Sequence, residues 1–222
     1  MSTFKTFAIL GALLAATPAA AADFLSNEPG PYPIPGTGTW GPADPFPITF
    51  TVSGLGSITD VNLTLTGLTH NLSANVMIGL VSPTQTAVLL MSDVGRIFGN
   101  FNNVTLTFDD EAAAALPQTV PFWNAAIASG TYLPSAYAWN PIAEYLTNGT
   151  SLSLFDGEDA NGTWELYIWD DNFLGGVGDL QSATLSISAA AIPEPATWAL
   201  MIGGFALAGL QLRRRKMVVN FA

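Results

Sequence analysis

From Ile48 onward, apolar and polar residues alternate with a period of two. Ile48, Phe50 and Val52 alternate with Thr49, Thr51 and Ser53, and Val61, Leu63 and Leu65 with Asn62, Thr64 and Thr66. Val76, Ile78 and Leu80 follow, then the apolar run Val88–Met91, then Val104, Leu106 and Phe108 between Thr105 and Thr107. Leu152 and Leu154, Trp164, Leu166 and Ile168, and Ala183, Leu185 and Ile187 complete the series. Successive side chains of a strand point to opposite faces, so each set lays one apolar row on one side. About eight short strands, separated by Gly, Asn, Asp and Pro, predict an all-β fold, an antiparallel sandwich of jelly-roll type. Two pieces are expected to be helical: Asp110–Leu116, with acids at its start, and Pro141–Leu146, with Asn140 as N-cap. The stretch between them is expected as an insertion outside the sheets. Asp23–Pro47 carries seven prolines, which predicts an extended linker at 23–47 ahead of a sandwich at 48–190.

The two ends follow other patterns. Met1–Ala22 has one cation, Lys5, then the apolar run Phe7–Ala16 and the small residues Ala19–Ala22. This is the layout of a secretory signal peptide at 1–22, cut before Asp23; an uncleaved anchor is the alternative. At the other end, Ala196–Leu212 is apolar and is followed by Arg213-Arg-Arg-Lys216. A helix there would be roughly 25 Å long, enough to serve as a transmembrane helix in a thin membrane core. The basic cluster would stay on the cytoplasmic side and place the preceding domain outside.

Charge sharpens this division. Of the 17 carboxylates, 16 lie between Asp23 and Ile192, with Arg96 as the one Lys or Arg among them. So acidic a surface repels nucleic acid, and no nucleic-acid partner is expected. It suits divalent cations, or it simply keeps an exported protein soluble. The chain has no Cys, which removes disulfides, a Cys nucleophile and Cys-ligated zinc.

Pro193-Glu-Pro195-Ala-Thr-Trp198, with the apolar stretch and Arg213, Arg214 and Arg215 behind it, resembles the PEP-CTERM sorting signal at 193–216. The resemblance implies processing by an exosortase at Pro193, Glu194 and Pro195, in a Gram-negative, exopolysaccharide-making host. Residues 217–222 form an extra tail beyond the usual end of that signal.

A second resemblance lies in the middle. It rests on His70, Ser82-Pro83 and Asn161-Gly-Thr-Trp164 leading to Asp170, then Gly178-Asp-Leu180. These are similar to the P domain (P/Homo B) that follows the catalytic domain of kexin- and subtilisin-type proteases. That likeness implies a β-sandwich without a catalytic domain of its own. In the family an Asp helps to hold calcium; Asn75 stands there, supplying an amide oxygen and no charge. Independently of the resemblance, Asn161-Gly162 predicts a tight turn with positive φ at Gly162, and Trp164 an inward-facing ring.

Candidate chemistry is sparse. His70 is the single His, and no Ser lies in a nucleophile-elbow context, so no catalytic residues are assigned. Acids cluster at Asp109-Asp110-Glu111, at Asp156, Glu158 and Asp159, and at Asp170-Asp171 with Asp179. Three readings stay open for them: turn and cap residues, calcium ligands (Asp170, Asp171 and Asp179), or a polysaccharide-cleaving pair. Trp123, Tyr132, Tyr137, Trp139 and Tyr145 suit sugar stacking on exposed loops, or ordinary core packing. The expected role is an exported, non-enzymatic adhesion or exopolysaccharide-binding module. Its expected partners are an exosortase, the membrane through the C-terminal helix, and exopolysaccharide.

Overall fold

The computed structural model describes residues 20–96, 99–137, 148–172, 175–190, 202–207 and 209–210. The chain divides into two units, Pro18–Ala191 and Met1–Thr17 with Ile192–Ala222, and the strands belong to the first. In chain order the strands are β1 (Ala20–Leu25), β2 (Tyr32–Ile34), β3 (Gly41–Pro42), β4 (Ile48–Val52) and β5 (Ile58–His70). Then come β6 (Val76–Val81), β7 (Ala87–Ser92), β8 (Gly99–Phe108), β9 (Ala125–Ala126), β10 (Gly130–Tyr132) and β11 (Ser135–Ala136). Finally come β12 (Gly162–Asp170), β13 (Gly178–Leu180) and β14 (Ser182–Ala189).

They form two mixed sheets. In the first, β5 is central, with β14 and then β1 on one side, β13 and β2 continuing that side, and β8 on the other. In the second, β12 lies between β6 and the pair β3 and β4, and β7 and β11 follow β6. Long pairs are antiparallel; the short β9, β10 and β11 pair in parallel. Alternation decides the layers: β12 and β14 bury every second residue, and Leu63, Leu65, Ile78, Leu80, Trp164, Leu166 and Leu185 join one core cluster. Burying each such side chain contributes about 1.5–3 kcal/mol. Trp164 donates its indole N–H to the Ala160 carbonyl at 3.0 Å and meets Phe155 edge-on at 4.9 Å. Gly162 has φ of +136°, as the Asn-Gly turn requires.

Four expectations need correction. The prolines of 23–47 do not keep that segment off the sheets, because carbonyls and side chains still pair. Tyr32 and Ile34 are buried, and the Pro33 carbonyl accepts from the Asp44 amide at 3.2 Å. The sheets, expected from Ile48, already include β1, which pairs with β14 from Ala20 onward, and Ser186 donates to Asp23 at 2.6 Å. Asp110–Leu116 is a turn with one bridge, Ala115 to Leu133, rather than a helix. Leu152–Phe155 is a 3-10 turn rather than a strand, because Asp110 captures its first amides. The expected helix Pro141–Leu146 lies outside the described residues. So does most of the expected membrane helix; residues 202–207 and 209–210 are helical, and no helix among the described residues is long and apolar enough to cross a membrane.

Candidate functional site

β5 ends at His70 and β12 ends at Asp170, one from each sheet, and the two side chains meet where those ends converge. His70 Nε2 lies 3.1 Å from Asp170 Oδ2, and both side chains are fully buried. His70 Nδ1 lies 2.7 Å from the Leu72 carbonyl, which can only accept, so Nδ1 donates. Asp170 Oδ1 accepts from the Asn172 amide at 3.0 Å. Gly176 closes the site: a Cβ there would sit 2.5 Å from His70 Cε1 and 2.6 Å from Asp170 Oδ2. The pair is a sealed strut between the sheets.

Asp171, one residue on, lies outside the pair and half-buried. It shares a cavity of about 220 Å³ with Ala74, Asn75, Asp93, Arg96 and Asn172. Its amide donates to the Asn75 carbonyl at 2.9 Å. Burial, then the charges of Asp93 and Asp170, push the Asp171 carboxyl up to about 7. Burial also raises Asp93. Asn75 is buried, and its amide nitrogen has no hydrogen-bond partner among the described residues. Arg96 lines the same cavity without an ion pair to either acid. Asp179, the third of the acids assigned to a metal, lies on β13 and accepts from the Gln181 amide at 3.2 Å. Among the described residues, no three His, Asp or Glu side chains converge as a metal site. Asp93 was missed in the sequence; its only signal there was the Asp-Val-Gly turn after β7.

The remaining acids mostly hold turns. Glu158 accepts from Ser82 at 2.7 Å and also from Thr84 and Thr86, clasping the β6–β7 turn. Asp159 accepts from the Asn161 backbone and side chain, which lowers its pKa. Asp110 accepts from Ser151 Oγ at 2.5 Å, the Leu152 amide at 3.1 Å and the Ser153 amide at 2.8 Å. Around it, burial and then the charges of Asp109 and Asp156 raise Asp60, and burial and then Asp110 raise Asp156. Of the aromatics, Tyr132 and Tyr137 pack partly against the core, Trp123 is exposed, and Trp139 and Tyr145 lie outside the described residues. The sorting residues Pro193, Glu194, Pro195, Arg213, Arg214 and Arg215 also lie outside them.

Residues 191–216 match the PEP-CTERM protein-sorting motif. The motif indicates an exported protein targeted to an exosortase, with a membrane-anchored precursor before the surface form. No curated protein matches the chain. Among solved structures, the chain is similar to the Aeromonas sobria serine protease in complex with its chaperone, at 16% identity and a TM-score of 0.42. That match covers 79% of this chain and 28% of the other. The protease alone gives 16% identity and a TM-score of 0.40, over 78% of this chain and 27% of the other. The chain therefore spans little more than a quarter of these two structures.

Proposed function

We propose that this chain is a non-catalytic surface module, held at the cell surface or in an exopolysaccharide matrix after exosortase processing. The β-domain is then a P domain-like unit that binds or packs rather than cleaves. The observation that carries this reading is the terminal sorting motif joined to a domain whose one His is locked in its core. A general base must reach the proton it removes, and His70 has both nitrogens engaged behind Gly176. Asp110, Glu158 and Asp159 likewise spend their oxygens on turns. The test replaces Pro193, Glu194 and Pro195 with alanine in the native host and follows the protein by fractionation. Accumulation in the membrane fraction is expected; an unchanged distribution overturns the sorting reading. Release of reducing ends from a polysaccharide by the parent, lost in Asp110→Ala, would overturn the non-catalytic reading.

One observation favours a second role, as a calcium-stabilised module. Asp93 and Asp171 face one small cavity with Asn75, whose amide has no partner as placed and could turn its oxygen inward. Two half-buried carboxylates without an ion pair among the described residues suit a hard cation with oxygen ligands. Asp170 and Asp179, engaged elsewhere, would contribute less than Asp93. Millimolar calcium should raise the melting temperature of the full chain and not of Asp171→Asn. No shift would remove calcium from the account.

A further inference from the structure

A different groove carries the inference, at the end of the first sheet where β5 finishes and β8 begins, beside the short β9. Its volume is about 350 Å³, within the usual range of small-ligand sites, and Thr69, Asn71, Asn100, Asn102, Asn124 and Val177 line it. None of its lining residues is charged, on a domain that is otherwise strongly acidic.

The walls are fixed. Asn100 is buried at 8% exposure, and its amide donates to both the carbonyl and the side-chain oxygen of Asn124, each at 2.8 Å. That grip holds Asn124 at φ of +60°, a left-handed conformation that Asn tolerates better than most residues. On the opposite wall, Asn71 Oδ1 accepts from the Val177 amide at 2.9 Å. Among the described residues, no hydrogen bond engages the side-chain amide nitrogens of Asn71 and Asn124, the side-chain amide of Asn102 or the hydroxyl of Thr69, which leaves them for a ligand. An amide offers a donor and an acceptor side by side, and each sugar hydroxyl is both donor and acceptor. The turn that enters this wall, closed by the Ala125 amide on the Phe122 carbonyl at 3.3 Å, exposes Phe122 and Trp123 to 66% and 67%. These two aromatics directly precede the groove residue Asn124 in the chain, and aromatic faces suit the apolar face of a pyranose ring.

We infer that this groove binds a neutral polysaccharide. The inference rests on the reading of the chain as a matrix-binding module, and it names the class of matrix. Charge repulsion by the acidic surface disfavours uronic-acid polymers, which fits neutral chains.

The test is affinity electrophoresis of the full chain in gels containing dextran, galactomannan or glucomannan, with alginate as the acidic control. Retardation by at least one neutral polymer, insensitive to about 0.5 M salt and to chelator, is expected. Asn102→Ala and Trp123→Ala should each weaken it about tenfold, the effect of losing one or two ligand contacts. Among the described residues Asn102 makes no side-chain hydrogen bond, and it is exposed, so its variant should leave the fold intact; matching melting curves check this. No retardation by any of the three neutral polymers, retardation by alginate alone, or undiminished binding in both variants overturns the proposal. Those failures are separable from failure of the sorting reading, which is measured by localisation.

Discussion

The domain brings acids together in two places, and it treats them in opposite ways. At the ends of β5 and β12, Asp170 is fully buried and satisfied by His70 and the Asn172 amide, under a glycine lid. Around Asp110, the acids stay near solvent and are answered by hydroxyls and backbone amides of the 152–155 turn. Burial with a partner builds a strut that cannot be cut without leaving a charge or a polar ring stranded. Exposure with backbone donors builds a cap whose loss water can largely repair. A run of carboxylates in a sequence is therefore no guide to its energetics; the depth at which each one ends decides.

The largest effect should come from cutting the buried pair. Asp170→Ala leaves the His70 ring without its partner and the Asn172 amide without its acceptor. Removing one member of such a pair costs about 3–5 kcal/mol. Urea unfolding should show a midpoint far below that of the parent, or failure to fold. A loss under about 1 kcal/mol would mean that the strut is not built as described. Gly176→Ala should cost less, about 1–3 kcal/mol, because the added methyl overlaps both partners and the loop can yield a little. Equal stability of parent and variant would show that the lid is slack.

Asp110→Ala tests the other side of the comparison. It removes the acceptor for two amides and one hydroxyl at the start of the 152–155 turn, an N-cap-like loss of about 1–2 kcal/mol. Hydrogen exchange should speed up at Leu152 and Ser153 while the β5 and β12 amides stay protected. Loss of protection throughout would merge the two regions into one cooperative element.

How much of this was legible follows from how local each cause is. The period of two placed β4, β5, β6, β8, β12 and β14, and the apolar run Val88–Met91 placed β7, because each strand carries its own apolar signal. The pattern failed at Leu152 and Leu154, where the deciding residue, Asp110, lies more than 40 positions upstream. It failed again in the Pro-rich segment, where Tyr32 and Ile34 enter the core although Pro33 sits between them on a short edge strand. Among the acids, the run Asp170-Asp171 was visible. Its division between a sealed pair and a cavity was not, because the partners His70 and Asp93 come from β5 and from the turn after β7. The asparagine groove had the weakest signal, Asn residues scattered over β8 and two loops that only the β5–β8 and β8–β9 pairings bring together.

The smallest effect sharpens the comparison through pH. Burial and the charges of Asp109 and Asp156 raise Asp60 above its ordinary value of 3.8 in the folded chain. The folded state therefore holds this proton more tightly than the unfolded state does. Below about pH 4 Asp60 is protonated in both states and costs nothing; as pH rises, the unfolded state ionises first and stability falls until the folded carboxyl has ionised too. Asp60→Asn removes that cost. Its stability relative to the parent should grow from about pH 4 upward and then level off. Asp60 remains largely in contact with solvent, so the gain should stay under about 0.5 kcal/mol. Parallel stability curves for parent and variant between pH 3 and pH 8, measured in chelator, would show that the exposed acids do not feel one another. The difference between the two regions would then rest on the buried pair alone.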